Sequence, residues 1–208
     1  MKNVFLGEYV KQRRLDLGLT QEQLCDGICE PMTLSRLENG KQTPSRNRIN
    51  ALLQRLGLPD DRYFALLSKN ELEMEALQKE IVACNANHRV EEGFETLKKF
   101  EQIADHDDQI AQQFILRSKV LLGRLDQRYT PQEQIDLLMQ AIRLTVPRFN
   151  LDEIERFFYS TDEIKIINQI GIAYSDDGQN KKAADIYYQL LKYVRKHFEE
   201  TITSVGIL

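Results

Sequence analysis

Apolar residues recur at i, i+3 and i+4 along nearly the whole chain, and no run alternates apolar with polar between turn residues. That period commits the backbone to helices and predicts an all-α fold. A chain of 208 residues makes one large domain or two small ones, and 42% hydrophobic content suffices for a core. Turn residues divide the first part finely. Leu6, Val10 and Leu17 mark a helix that stops at Gly18. Thr20, with Gln23 three residues on, has the form of a capping box opening a short second helix that carries Leu24 and Ile28. A third helix is expected from Glu30-Pro31 through Leu34 and Leu37 to Asn39-Gly40, since proline fits a first helical turn. Ser45 is placed to cap a fourth bearing Ile49, Leu52, Leu53 and Leu56, closed by Gly57 and Pro59. Tyr63, Phe64, Leu66 and Leu67 predict a fifth.

Beyond residue 70 the helices lengthen and pair. Gly171, Tyr174, Gly178, Ala183 and Tyr187 fall at the small–large–turn–small–large offsets of a tetratricopeptide repeat, whose period is about 34 residues. A small residue lets the paired helix approach, and an aromatic fills the groove beside it. Residues 75–105 fit that frame more loosely, through Gly93, Leu97 and Phe100, and residues 107–146 form another pair broken at Thr130-Pro131. A further helix is expected over 152–159. Thr201 to Leu208 reads as the opening of one more helix without a partner, which implies a truncated chain or an open end covered by dimerisation. The expected division is 1–68 as a small helical head and 69–208 as an α-solenoid.

Charge follows the same division. Residues 1–70 hold 11 Lys and Arg against 8 Asp and Glu, while the remainder holds 17 against 24. A basic head on an acidic body suits a nucleic-acid-binding module fused to something else. Neither a bilayer-length apolar run nor a secretory signal at Met1–Glu8 is present, so no membrane association is expected. Three cysteines cannot all pair with one another, which favours a reducing, cytoplasmic setting. Cys25 and Cys29 lie one helical turn apart without neighbouring histidines, and read as buried thiols rather than metal ligands. His88, His106 and His197 have no ligand spacing. With no Gly-rich phosphate loop, nucleophile elbow or ligand cluster, an enzyme is not expected, nor a cofactor or metal.

Leu19-Thr20-Gln21 and Leu34-Ser35-Arg36-Leu37-Glu38-Asn39-Gly40 resemble the helix-turn-helix of the phage-repressor (Cro/C1-type, XRE) family, over residues 6–68. The resemblance implies a five-helix lambda-repressor-like domain whose third helix enters the DNA major groove. Carried over by position, Gln21 would hold a phosphate, and Pro31, Met32, Thr33 and Arg36 would face bases. Lys41, Arg46 and Arg48 would neutralise phosphates, although spacing alone would put Arg46 and Arg48 on a solvated face. Arg14 would pair with Glu38 to brace the first helix against the third. Glu30 departs from the family's usual Ser or Thr cap; a helix dipole tolerates the acid, but it repels phosphate. Pro31 and Met32 make no bidentate base contacts, so reading would rest on Thr33, Arg36, methyl contacts and DNA shape.

Such a head followed by degenerate tetratricopeptide repeats is similar to the RNPP family of Gram-positive peptide-pheromone receptors. The run Ser160-Thr161-Asp162-Glu163-Ile164 before the clearest repeat, with Asn168 on its first helix, carries that likeness. It implies a homodimeric, quorum-sensing regulator of double-stranded DNA, controlled by a short signalling peptide held on the solenoid's concave face. Asparagines there would hold the peptide backbone, because an amide side chain offers both donor and acceptor. Asn168 is the position of choice. Lys165, Ile172 and Ser175 share its face, Asn85 holds the comparable place in the first repeat, and Arg117 would catch a peptide carboxylate. Two other readings stand beside it: a regulator whose repeats only dimerise or dock a protein, and a scaffold that no longer binds DNA.

Overall fold

Glycines in the left-handed region end the helices where sequence placed the breaks. Gly18, Gly40, Gly57 and Gly178 all have φ between +66° and +78°. The computed structural model describes residues 6–58 and 69–204, and among them every regular element is helical. The head contains α1 (Leu6–Asp16), α2 (Gln21–Cys25), α3 (Pro31–Glu38) and α4 (Arg46–Arg55). Both bonds of the Thr20–Gln23 capping box are made. Ser45 occupies the N-cap of α4 without a side-chain capping bond. Val10, Leu24, Leu34, Ile49, Leu52 and Leu56 form the buried centre of the head. The fifth helix expected at Tyr63–Leu67 lies outside the described residues.

The second part runs α5 (Lys69–Ala86), α6 (Val90–Ile103), α7 (Gln109–Leu125), α8 (Pro131–Thr145), a 3-10 helix (Leu151–Arg156), α9 (Thr161–Asp176) and α10 (Asn180–Ser204). Consecutive helices pack as pairs, α5 on α6, α7 on α8 and α9 on α10, and successive pairs stack. The small residues act as expected. A Cβ added at Gly171 would come within 2.7 Å of the Tyr187 ring, and one at Gly93 within 2.5 Å of Leu122. No helix among the described residues is long and apolar enough to cross a membrane.

Two expectations are corrected. The helix expected over 152–159 is a 3-10 segment ending at Arg156, kinked at Glu153 (φ −136°), with an extended run into Ser160. Its backbone groups find partners outside the segment. Gln189 of α10 accepts from the Ile154 amide (3.1 Å) and donates to the Leu151 carbonyl (3.0 Å), while the Tyr159 amide donates to the Tyr193 hydroxyl (2.8 Å). A regular helix is therefore not needed to satisfy them. Residues 201–204 open no new helix; they belong to α10, which runs unbroken from Asn180, and 205–208 lie outside the described residues.

Head and repeats share a buried seam. Arg55 at the end of α4 donates to the carbonyls of Leu24 (3.1 Å), Asp26 (2.6 Å) and Thr145 (2.7 Å), and to both Glu163 carboxylate oxygens (2.8 and 3.5 Å). Glu163 also accepts from the Thr145 hydroxyl and the Ser160 amide, each at 2.6 Å. Gln113 of α7 completes the network by donating to Thr145 Oγ1 (2.6 Å). Gly27 has φ +71° and lies so close to the Thr145 backbone that no side chain fits.

Candidate nucleic-acid interface and repeat face

The third helix is held from behind. Arg14 of α1 grips Glu38 of α3 through two parallel bonds of 2.7 and 3.0 Å, and its remaining nitrogen donates to the Leu19 carbonyl at 2.7 Å. Their side chains are 9% and 1% exposed, so the pair is buried structure rather than ligand-binding surface. Gln21 joins it by donating to Glu38 Oε2 at 2.7 Å. The Gln23 backbone amide at the start of α2 is held by Thr20 Oγ1 at 3.1 Å.

The outer face of α3 is open. Met32 is 63% exposed and Arg36 is exposed with a long 3.4 Å bond to Gln42, while Pro31 and Thr33 are half-buried. Pro31 takes the first helical position, and Glu30 makes no side-chain cap bond. Lys41 is exposed just beyond the helix. The Arg46 guanidinium meets Glu75 of α5 at 3.0 Å. Glu75 also holds Lys79 at 2.7 Å, and the Lys79 hydrogen bond, with Arg46 adding its charge, pulls the Glu75 carboxyl below its ordinary value. Arg48 is half-buried and lines a hollow with Thr33, Glu30 and Asp107, the last supplied by the α6–α7 loop. Asp107 adds a second acid beside the start of α3, and nothing local in sequence signals it.

Cys25 is buried and Cys29 half-buried. The neighbouring Cys29 thiol, then burial, pushes Cys25 up; the Cys25 thiol in turn lowers Cys29, which the charges of Arg48 and Arg55 also favour as thiolate.

On the repeats, Asn168 is exposed on α9. Lys165, Ile172 and Ser175 follow at helical spacing on the face turned away from Ile166, Ile170 and Ala173. Lys165 pairs with Asp162 (3.0 Å), and Ser175 donates to Asn180 Oδ1 (3.3 Å). Arg117 of α7 reaches α9, donating to Gln169 Oε1 at 3.3 Å and lying 3.6 Å from Asp162. Burial pushes its guanidinium below the ordinary value, with Asp162 acting in the opposite direction. Asn85 stands apart, half-buried near the end of α5.

Sequence reasoning singled out neither Arg55 nor the second function of Glu163. The Ser160–Glu163 spacing does announce a capping box, and both of its bonds form. No local pattern announces that the same carboxylate meets Arg55.

Residues 6–63 match a family described as a helix-turn-helix domain. No curated protein matches the chain. Among solved structures it is similar to the crystal structure of Bacillus thuringiensis PlcR in complex with the peptide PapR7 and DNA, at 22% identity and a TM-score of 0.49. The similarity covers 92% of this chain and 65% of that one, so the chain spans less than two thirds of that structure's length.

Proposed function

We propose that this helix-turn-helix protein is a sequence-specific DNA-binding transcriptional regulator, with α3 as the recognition helix and the repeats as a control domain. The observation that carries the reading is the helix-turn-helix head itself. Its α3 is braced from behind by the Arg14–Glu38 pair and presents Met32 and Arg36 outward. Arg36 is the side chain suited to a base edge, Thr33 and Met32 supply methyl contacts, and Gln21, Lys41, Arg46 and Arg48 serve the phosphates. Arg46 reaches a phosphate only by leaving Glu75. Two heads in a homodimer would read half-sites one helical turn, about 34 Å, or a multiple apart. The exposed Tyr188 and Leu191 of α10 offer an apolar contact for that dimer.

Control by a short peptide is the finer part of the proposal. It rests on the sequence resemblance to peptide-pheromone receptors and on the shared outward face of Lys165, Asn168, Ile172 and Ser175. Asn168 would bond a peptide unit at both ends, and Asn85 and Arg117 would extend the site along α5 and α7.

Selection of bound duplexes from genomic DNA, followed by mobility shifts across a salt series, tests the head. Arg36→Ala is expected to abolish selectivity, whereas Lys41→Ala weakens all DNA alike and flattens the salt slope by about one. A chain that selects nothing and shows no salt-dependent binding would leave the scaffold reading in its place. For the peptide, Asn168→Ala should remove any response of DNA affinity to peptides recovered from the native host, a response of about 5- to 150-fold.

A further inference from the structure

A hollow of about 190 Å³ lies in the seam between head and repeats, walled by α4 on one side and by α7 and α9 on the other. Two polar groups on its wall stand out. Asn50 of α4 presents an Oδ1 that is buried without a hydrogen-bond partner among the described residues. A buried acceptor left unpaired is costly, so at a cavity wall it is open to a donor that comes from outside the fold.

Arg117 is the second group out of balance. Its guanidinium is largely buried, yet its carboxylate neighbour Asp162 stands 3.6 Å away and is held more closely by Lys165, at 3.0 Å. The other acid at the wall, Glu163, is neutralised by Arg55 and filled by Thr145 and Ser160. The cavity thus offers both a cation with spare donors and an acceptor without a donor. Ile28, Ile110, Phe114 and Ile166 add apolar surface to the same lining.

We infer that this hollow binds the carboxylate end of a small amide-bearing ligand: the carboxylate on Arg117, the adjacent amide N–H on Asn50 Oδ1, and an aliphatic or aromatic side chain against Phe114. A volume below the roughly 300–1,000 Å³ of drug-sized sites holds one terminal residue and its amide. That chemistry is shared by the C-terminus of a peptide and by a free N-acyl amino acid. Where the occupant is a peptide, the inference rests on the peptide control proposed above and locates the peptide's last residue. Because Asn50 belongs to the head and Arg117 to the repeats, occupancy ties the two together and favours the docked arrangement.

The test is calorimetric titration of the full chain with N-acetyl-L-leucine and N-acetyl-L-phenylalanine, each against its carboxamide. A second arm uses short peptides ending in the same residues, free or amidated. Free acids should bind, and amidation should weaken them about 10-fold or more, as loss of a charged hydrogen-bond partner does. Arg117→Gln should weaken the acids to the level of the amides. Asn50→Leu should weaken both without lowering the melting temperature, because it removes the orphan acceptor. A purely structural Asn50 would not separate binding from stability in that way. N-acetyl amino acids that bind while no peptide does would keep the site and remove peptide control. Peptides that bind with or without amidation, are lost in Asn168→Ala and are untouched by Arg117→Gln and Asn50→Leu would overturn this site and keep peptide control. Failure of both classes to bind at millimolar concentration overturns it as well.

Discussion

Arg55 and Glu163 lie 108 residues apart in the chain and meet at 2.8 Å with side chains each 2% exposed. Taking two charges out of water costs several kcal/mol, so the pair is no net gain over an apolar contact of the same shape. Removing one partner is a different matter. Arg55→Ala leaves Glu163 buried and charged, and is expected to cost about 3–5 kcal/mol. Replacing both by Met and Leu should recover most of that loss. Urea unfolding of the three variants decides it; a loss under about 1 kcal/mol in Arg55→Ala would mean that the seam is open to water in solution.

Within the head, Arg14→Ala should destabilise by a similar amount, because Glu38 would keep only the Gln21 bond. Lys11, exposed on the same helix, is the proper control, since Arg13 donates to the Leu56 carbonyl at 3.1 Å. Lys11→Ala should stay within about 0.5 kcal/mol of the parent. Equal effects at the two positions would show that the bidentate pair does not persist.

Much of this was legible in sequence because it is local. Capping boxes need three residues, and helix ends need one glycine. The Gly171–Tyr187 contact follows from a known repeat spacing, and the Arg14–Glu38 pair came from resemblance rather than from periodicity. What sequence missed is long-range or depends on where two domains touch. Arg55 reads as a basic helix terminus, Glu163 as a capping residue and Asn50 as a polar position on α4; only the docking of α4 on α7 to α9 gives them their environments. The Arg46–Glu75 ion pair is silent in sequence for the same reason, since Glu75 lies on another element. The 3-10 segment at Leu151–Arg156 escaped because Gln189 and Tyr193, far along the chain, satisfy its neighbourhood.

Gly27 and Gly18 make a controlled comparison. Both have positive φ, +71° and +66°, so alanine at either pays the left-handed penalty of about 1–2 kcal/mol. Gly18 faces open space, whereas a Cβ on Gly27 would collide with the Thr145 backbone. Overpacking adds roughly 1–3 kcal/mol, so Gly27→Ala should be the more damaging by about that margin in thermal or urea unfolding. Equal losses would mean that the α2–α3 turn is not seated on the end of α8.

In the proposed DNA-binding role, Glu75 would compete with phosphate for Arg46. Freeing the guanidinium by Glu75→Gln removes a partly exposed ion pair, of a kind worth about 0–1 kcal/mol. DNA affinity should then rise by up to about 5-fold with a steeper salt dependence, and Arg46→Ala should cancel the gain. No change in either quantity would make Arg46 a brace between α4 and α5 and nothing more.

His197 is expected to make stability fall in acid. Its ring packs against Tyr193 (4.6 Å between centroids) and Phe158 (5.2 Å). Burial, with the Lys196 charge adding to it, lowers its pKa from the ordinary value of 6.5. The folded state therefore binds its proton less readily than the unfolded chain. Stability from this residue is intact above pH 6.5, declines as the pH falls below the unfolded value, and levels off below the folded one. His197→Phe keeps a ring in place and removes the titration. The urea midpoint of the parent should accordingly fall more than that of the variant between pH 7.5 and 5.5, the range about the ordinary histidine value. Parallel falls would place His197 in water, and an excess fall in the variant would reverse the sign of the shift.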